Sequence, residues 1–242
     1  MSIKKHIPNI VTLGNLFFGT LATIYAVGGH FEMTALFVVL GIFLDFFDGF
    51  FARVLKVSGE LGKQLDSLAD MVTSGVVPGI VLFVLLGNNQ QIPYEIDSEF
   101  KFSMGFPLLG LLITLSACYR LAKFNLDTRQ SESFIGLPTP AMSLFIVSLP
   151  LVQMHSDIDF VKDLIGNNYF LIAITILFSF LMNSEFHLFS LKFKNYGVKE
   201  NLFKYILILF SIILLITIEY LAVPVIIMSY VILSMLKNMK KA

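Results

Sequence analysis

Long apolar stretches separated by short polar segments make up most of this 242-residue chain. A helix needs about 20 apolar residues to cross about 30 Å of hydrocarbon, and most of the stretches are long enough. The pattern predicts eight helices, near residues 8–28, 32–56, 64–87, 105–126, 139–154, 168–187, 202–219 and 221–237. The fifth is the weakest, because prolines begin it and Pro150 is expected to interrupt it. We therefore expect an all-α, polytopic transmembrane helical bundle that forms one integral-membrane domain over residues 1–242.

Composition supports a membrane protein over a soluble one. The chain is 56% hydrophobic and 14% charged, with a mean hydropathy of +0.81, whereas soluble domains are roughly a quarter charged. The first apolar run continues to Val27 without a small-residue cleavage site, which predicts a retained first span rather than a signal peptide. Cys118 is the only cysteine, so an intrachain disulfide is excluded, and we expect it to serve packing. We expect membrane lipid, and no nucleic acid, among the partners.

The positive charges are sorted between the two sides of the predicted bundle. Eight helices place 15 of the 17 Lys and Arg residues on one side and leave Lys101 and Lys162 on the other. Loops on that other side carry acidic residues instead, namely Glu32, Glu95, Asp97, Glu99, Asp157, Asp159 and Asp163. By the positive-inside rule, both termini lie in the cytoplasm. We expect a multi-pass protein of the cell's inner (cytoplasmic) membrane.

Four acidic residues, Asp45, Asp48, Asp66 and Asp70, lie inside otherwise apolar helices. The spacings of three and four residues place each pair on one face of its helix. A turn around Gly59 would bring the two pairs together. At 1.5 Å per residue they lie roughly 10–12 Å below the cytoplasmic helix ends, where burying four carboxylates costs on the order of 10 kcal/mol. A bound divalent cation offsets this cost best, so the sequence predicts a metal site that opens to the cytoplasm.

Small residues and one arginine lie between the two acidic pairs. Gly49, Ala52 and Gly62 leave open helix faces where a bulky ligand, or another helix, can approach closely. Arg53 suits bidentate binding of phosphate, although an arginine here also fits an interfacial, snorkelling role.

Together these residues spell D-x2-D-G-x2-A-R-x8-G-x3-D-x3-D from Asp45 to Asp70. The pattern resembles the signature of the CDP-alcohol phosphotransferase family, whose members transfer a substituted phosphate from a CDP-linked donor to an alcohol and release CMP. The resemblance implies that Asp45, Asp48 and Asp66 bind two divalent metal ions, either Mg²⁺ or Mn²⁺. It also implies that Asp70 is the catalytic base and a further metal ligand. It also implies a CDP-lipid site formed by a set of small and polar residues that includes Gly49, Ala52, Arg53, Ser58, Gly59 and Gly62.

Two further stretches resemble the phosphatidylserine synthases within that family. The first is Ile7 to Leu16. The second is Arg120 to Asn125 followed by Phe134 to Pro140. Asn9 and Thr12 share a helix face and can contact nucleotide or phosphate, although both are also ordinary helix N-cap residues. Arg120, Lys123 and Asn125 cluster at a cytoplasmic helix end and suit the carboxylate of serine or a phosphate; simple positive-inside charge accounts for them equally well.

The resemblance implies CDP-diacylglycerol as donor, L-serine as acceptor and a homodimeric assembly. Asp70 would take the proton of the serine hydroxyl, which attacks the phosphorus directly; a covalent phosphatidyl-enzyme intermediate is the alternative route. Glycerol 3-phosphate or inositol phosphate is the alternative acceptor, and CDP-choline-type donors are disfavoured by the serine-type stretches. From another class, buried carboxylates also occur in cation or proton transporters, but clustering at one cytoplasmic depth argues against transport.

Overall fold

The computed structural model describes residues 6–57, 59–89, 105–127, 133–189 and 197–239. Helices dominate the described residues, and they occur in this order: α1 (His6–Val27), α2 (Phe31–Leu55), α3 (Glu60–Asp70), a π-helix (Met71–Val76), α4 (Val77–Asn88), α5 (Gly105–Leu109), α6 (Leu112–Leu126), α7 (Thr139–His155), α8 (Asp159–Ile165), α9 (Asn168–Asn183), α10 (Val198–Thr217), a 3-10 turn (Glu219–Leu221) and α11 (Ala222–Met239). Strands β1 (Ser133–Ile135) and β2 (His187–Phe189) form a two-stranded antiparallel ladder. The all-α prediction is thus confirmed, with this small ladder as an addition.

Five helical stretches among the described residues are long and apolar enough to cross a membrane. A sixth span is obtained if α8 and α9, which are bent by 70° at their junction, count as one broken span. Helix α7 and the straight part of α10 are apolar but shorter. The described part of the chain therefore has five or six membrane-capable helices, which lie at positions where the apolar pattern predicts spans.

Two details of the predicted helices were wrong. Pro150 does not interrupt the fifth helix, because α7 continues through it to His155; a proline removes one backbone hydrogen bond, and buried packing on both sides outweighs that loss. The sixth predicted helix ends at Asn183 rather than at residue 187, since the chain turns there into β2.

Helix α1 packs along the full length of α2 and also contacts α3, the π-helix and α4. It therefore lies beside both of the segments that carry the acidic pairs, and α3 contacts α1 more extensively than it contacts α2. Close approach depends on glycines: a Cβ built at Gly41 would lie 2.8 Å from Thr73 Cγ2 and 2.9 Å from Asn15 Oδ1. The core behind this junction comes from α4, α7 and α9, including Leu82, Ile146 and Phe178.

Polar contacts mark two opposite ends of the bundle. At one end, His155 Nε2 of α7 lies 2.9 Å from Glu32 Oε1 of α2. At the other end, Lys63 Nζ donates to the carbonyl oxygen of Asn125 (2.6 Å), and Lys123 Nζ lies 2.8 Å from Glu185 Oε1. Lys63 and Lys123 thus lie at the end of the bundle where α2 ends and α3 begins.

Candidate active site

Helices α2 and α3 bring three of the four acidic residues to one point. Asp45 and Asp48 come from α2 and Asp66 from α3, and one carboxylate oxygen from each lies within 4.8 Å of the other two. Helix α2 ends at Leu55, where Lys56 adopts a left-handed conformation (φ 53°) that turns the chain back. Convergence of the acidic pairs, predicted from their spacing, is confirmed for this triad.

Asp45 and Asp70 lie deeper than the sequence predicts. Asp45 is ten residues before the end of α2, and Asp70 is ten residues after the start of α3. At 1.5 Å per residue, both are about 15 Å from the helix ends. The predicted depth was smaller because it was counted from the nearest basic residues, whereas both helices extend beyond them.

Helix α1 supplies hydrogen bonds to two of these carboxylates. Thr12 Oγ1 lies within hydrogen-bonding distance of Asp48 Oδ2, and Asn15 Nδ2 donates to Asp70 Oδ1 at 3.2 Å. Asn15 is fully buried and Thr12 nearly so. Because α1 begins at His6, Asn9 and Thr12 lie inside the helix, so their interpretation as N-cap residues was wrong.

A first cavity of about 230 Å³ opens on one side of the acidic cluster. Asp48 and Asp66 line it, and so does one basic residue, Lys63. Six residues of the predicted CDP-lipid site line it: Asn9, Thr12, Gly49, Ala52, Gly59 and Gly62. A Cβ built at Gly49 would meet no atom within 4 Å, so the space beside this glycine belongs to the cavity rather than to a neighbouring helix.

A second cavity of about 260 Å³ lies on the other side of the same acids. Asp45, Asp66 and Asp70 line it together with Arg120 of α6 and Thr139 at the start of α7. Arg120 is 4% exposed, and its guanidinium lies 3.5 Å from the carbonyl oxygen of Gly136 and 5.6 Å from the centre of the Phe124 ring. Asp66 borders both cavities, so the acidic cluster separates a space lined by small residues from a space that contains a buried cation.

Three predicted site residues lie outside both cavities, and a fourth is not among the described residues. Arg53 is exposed and lines neither cavity, and Lys123 pairs with Glu185 outside them. Asn125 Nδ2 donates to Ser67 Oγ (2.8 Å), which ties the end of α6 to α3. Ser58 lies outside the described residues. Roles for these four in substrate binding stay predictions.

Several residues at the site were not predicted from the sequence. Asn15 and Thr73 form a buried pair behind Asp70, with Thr73 Oγ1 donating to Asn15 Oδ1 at 2.7 Å. Lys63, rather than Arg53, supplies the cation on the first cavity, and Thr139 joins the second cavity. A signal for Asn15 was present, because Asn9, Thr12 and Asn15 recur every three residues in an otherwise apolar helix.

The triad fits a hard divalent cation. Carboxylate oxygens are the ligands that Mg²⁺ and Mn²⁺ prefer, and three from separate side chains converge here. Asp45 Oδ1 is buried and has no hydrogen-bond partner among the described residues. A buried carboxylate oxygen without a partner is costly, and a cation between α2 and α3 would satisfy it. Asp70 stands outside the converging triad, with one oxygen engaged by Asn15.

Comparison with known proteins agrees with this geometry. Residues 5–181 match the family model described as CDP-alcohol phosphatidyltransferase. A CDP-diacylglycerol–serine O-phosphatidyltransferase of Bacillus subtilis is 34% identical over 149 residues, which cover 60% of this chain and 75% of that protein.

More distant relatives carry related names. A CDP-diacylglycerol–serine O-phosphatidyltransferase of Helicobacter pylori strain J99 is 32% identical over 148 residues (60% of this chain, 57% of that protein). The archaetidylserine synthase of Methanothermobacter thermautotrophicus is 28% identical over 155 residues (63% and 60%). The match thus spans less than two thirds of these two proteins. Because the family model covers most of the chain and includes all four acids, the chain belongs to the CDP-alcohol phosphatidyltransferase family.

Proposed function

We propose that this protein is a phosphatidylserine synthase, which transfers the phosphatidyl group of CDP-diacylglycerol to L-serine and releases CMP. The observation that carries the proposal is the position of Asp66, which borders both cavities. A phosphoryl-transfer site needs a donor space and an acceptor space that meet at one phosphorus, with negative charge neutralised between them. The names of the relatives from B. subtilis and H. pylori favour serine as the acceptor.

The first cavity suits the cytidine diphosphate end of the donor. Its walls carry Gly49 and Gly62, which allow a base or sugar to approach the backbone, and Asn9, whose amide can hydrogen bond to it. Thr12 also lines the cavity, but its hydroxyl is engaged by Asp48 and Pro8. Lys63 also lines this cavity, and its ammonium group, which donates to the Asn125 carbonyl oxygen in this structure, is the cation that would pair with the pyrophosphate. The acyl chains of the lipid donor can remain in the hydrocarbon region beside the helices.

Asp45, Asp48 and Asp66 would hold a divalent cation, Mg²⁺ or Mn²⁺. With Asp70 as a further ligand, the site would hold two such ions. When bound, the metal neutralises the pyrophosphate and stabilises the charge that develops on the leaving CMP. The helices do the positioning, because residues on α2 and α3 point at one place without any loop having to move.

Asp70 and Arg120 share the second cavity, where the acceptor would bind. The Arg120 guanidinium suits the serine carboxylate, which it can bind through two N–H groups. The serine hydroxyl oxygen forms the new bond to the phosphatidyl phosphorus, the bond from that phosphorus to the CMP oxygen breaks, and Asp70 takes the hydroxyl proton. Charge and atoms balance, with phosphatidylserine and CMP as products.

Other acceptors within the family are the nearest alternative. Glycerol 3-phosphate and inositol phosphate present a phosphate to Arg120 instead of a carboxylate, and that guanidinium suits either group. Family membership disfavours the other class of function, a cation or proton transporter.

We further propose that the chain crosses the inner membrane eight times as one domain, with the site and both termini on the cytoplasmic side, and that it forms a homodimer. The sorting of basic residues toward the α2–α3 turn supports this orientation. Replacing Cys118, the only cysteine, gives a background for single cysteines at Glu60 and Asp157. A membrane-impermeant maleimide should label the cysteine at 157 in intact spheroplasts and the one at 60 only after lysis. Labelling of both before lysis would contradict the orientation.

Incubation of the purified protein with CDP-diacylglycerol and single candidate alcohols tests the proposed reaction. We expect CMP release and a phosphatidylserine product with L-serine, loss of both after chelation, and recovery with Mg²⁺ or Mn²⁺. A product formed with glycerol 3-phosphate or inositol phosphate but not with serine would select the alternative acceptor. Absence of CMP release with every acceptor and both metals would reject the function.

A further inference from the structure

A buried pair of polar side chains, which line neither cavity, lies next to Asp70. Asn15 on α1 and Thr73 on the π-helix are both completely buried. Thr73 Oγ1 lies 2.7 Å from Asn15 Oδ1, and Asn15 Nδ2 lies 3.2 Å from Asp70 Oδ1. The contacts form a chain that runs from the π-helix through α1 and returns to the last residue of α3.

The chemistry of the three groups fixes the direction of this chain. An ionised carboxylate only accepts hydrogen bonds, so the Asn15 amide must present its NH₂ group to Asp70 and its oxygen to Thr73. The Thr73 hydroxyl then donates to that oxygen. With the amide held in this orientation, one oxygen of Asp70 is engaged by Asn15, and the other oxygen is the one that would take the proton.

Thr73 lies in the π-helix, and neighbouring helices hold this segment in place. A π-helix holds one more residue per turn than an α-helix, and such segments occur often at functional sites. Ser143 Oγ of α7 lies 3.4 Å from the Thr73 carbonyl oxygen, and Thr114 Oγ1 of α6 lies 3.0 Å from that of Gly75. Two neighbouring helices therefore satisfy carbonyl groups of the π-helix and hold it in place.

Glycines on the opposing helices leave the space that the pair occupies. A Cβ at Gly19 of α1 would collide with Thr73 Oγ1, and a Cβ at Gly41 of α2 would press on Thr73 and Asn15 together. The junction thus brings α1, α2 and the π-helix into contact at one buried hydroxyl.

We propose that Asn15 and Thr73 are positioning residues that orient the Asp70 carboxylate for proton transfer. The inference rests on the proposed function, since it assumes that Asp70 is the base. Neither residue lines either cavity; Thr73 acts through Asn15, and Asn15 acts through Asp70. Outer groups that orient a functional side chain typically contribute about 10–100-fold to activity.

The test uses Thr73→Val, which keeps the side-chain shape and removes the hydroxyl, and Thr73→Ser, which restores it. We expect kcat to fall about 10–100-fold in Thr73→Val, with KM values for CDP-diacylglycerol and serine within about twofold of wild type and Thr73→Ser near wild type. Thr175→Val is the matched control, because Thr175 is equally buried and its hydroxyl donates to the Leu171 carbonyl oxygen at 2.8 Å, remote from the acids.

Two further measurements separate positioning from folding. Mn²⁺ binding and the melting temperature in detergent should match those of Thr175→Val. Asn15→Leu, close in shape but without the amide, should lower kcat by at least as much, and the double variant should lose no more than Asn15→Leu alone, because the two residues act as one unit. This second variant also serves if Thr73→Val fails to fold.

Each outcome has one meaning. Wild-type kcat in Thr73→Val, failure of Thr73→Ser to restore kcat, or a loss that tracks reduced Mn²⁺ binding or melting temperature would overturn the positioning role while leaving the proposed function intact. A wild-type protein that releases no CMP from CDP-diacylglycerol would overturn the proposed function, and this inference with it.

Discussion

The hydroxyl of Thr12 on α1 lies within hydrogen-bonding distance of Asp48 Oδ2 on α2, across 36 positions of the sequence. Thr12 Oγ1 also lies 3.0 Å from the Pro8 carbonyl oxygen. The contact links α1, which carries none of the four acids, to one of the three converging carboxylates. It therefore fixes how Asp48 presents its oxygens to the shared point, which is the usual task of a group that orients a metal ligand.

Thr12→Val should weaken metal binding about 10–100-fold, because Asp48 loses the hydrogen bond that orients it. The measurement is the Mn²⁺ concentration that gives half-maximal activity, together with direct Mn²⁺ binding by electron paramagnetic resonance. Thr20→Val is the control on the same helix, since Thr20 is exposed and its hydroxyl reaches the Leu16 carbonyl oxygen at 2.9 Å. Equal Mn²⁺ requirements in both variants would show that Thr12 does not support the metal site.

Substitutions of Asp66 and Asp70 should have different consequences. Asp66→Asn removes a member of the converging triad, so it should abolish both Mn²⁺ binding and transfer. Asp70→Asn should keep binding of CDP and of the ion that the triad holds, while lowering kcat by at least about 100-fold, as expected for a lost general base. Asp163→Asn is the control, because Asp163 is an exposed acid of α8 that belongs to neither cavity. Rapid CMP release by Asp70→Asn in the presence of serine would reject Asp70 as the base.

The sequence predicted the acidic cluster because its determinants are local. Asp45 and Asp48 share a helix face through a spacing of three, and a short turn returns the chain so that Asp66 meets them. The lining of the first cavity followed from the same local rules, since Gly49 and Gly62 lie one turn from an acid. Periodicity and spacing determine which face of a helix a residue occupies.

Contacts between helices that are far apart in the sequence could not be predicted from local spacing. Asn15 and Thr73 are 58 positions apart, and their meeting depends on how closely α1, α2 and the π-helix approach. The choice of Lys63 over Arg53 as the cation of the first cavity depends on where α2 ends, at a left-handed Lys56. Such end points are set by tertiary packing, which hydrophobic periodicity does not encode.

Two glycines near the site should respond differently to alanine. Gly49→Ala adds a methyl group to open space in the first cavity, so the melting temperature should stay at the wild-type value while KM for CDP-diacylglycerol rises about tenfold. Gly41→Ala presses on Thr73 and Asn15 in a closed junction, and overpacking there should cost about 1–3 kcal/mol of stability. Thermal unfolding in detergent and donor titrations distinguish the two effects. A destabilised Gly49→Ala with unchanged KM would place this glycine in helix packing instead.

Arg120 should determine recognition of the acceptor without affecting the donor. Its guanidinium is buried in the second cavity beside Asp70, and removing one partner of a buried, hydrogen-bonded charge pair costs about 2–5 kcal/mol. Arg120→Ala should therefore lower kcat/KM for L-serine by at least about 30-fold, with KM for CDP-diacylglycerol unchanged. Arg120→Lys should recover little of this loss, because an ammonium group lacks the planar pair of N–H donors that matches a carboxylate.

The acceptor's own carboxylate gives the sharper comparison. Ethanolamine has the hydroxyl and the amine of serine but no carboxylate, so whatever slow transfer it supports should be insensitive to Arg120→Ala, and the preference for serine over ethanolamine should shrink by the factor lost with serine. Lys123→Ala is the control, because Lys123 lies three residues further along α6 and pairs with Glu185 outside the cavity. Equal losses with serine and ethanolamine would mean that Arg120 maintains the cavity walls, through Gly136 and Phe124, and does not read the carboxylate.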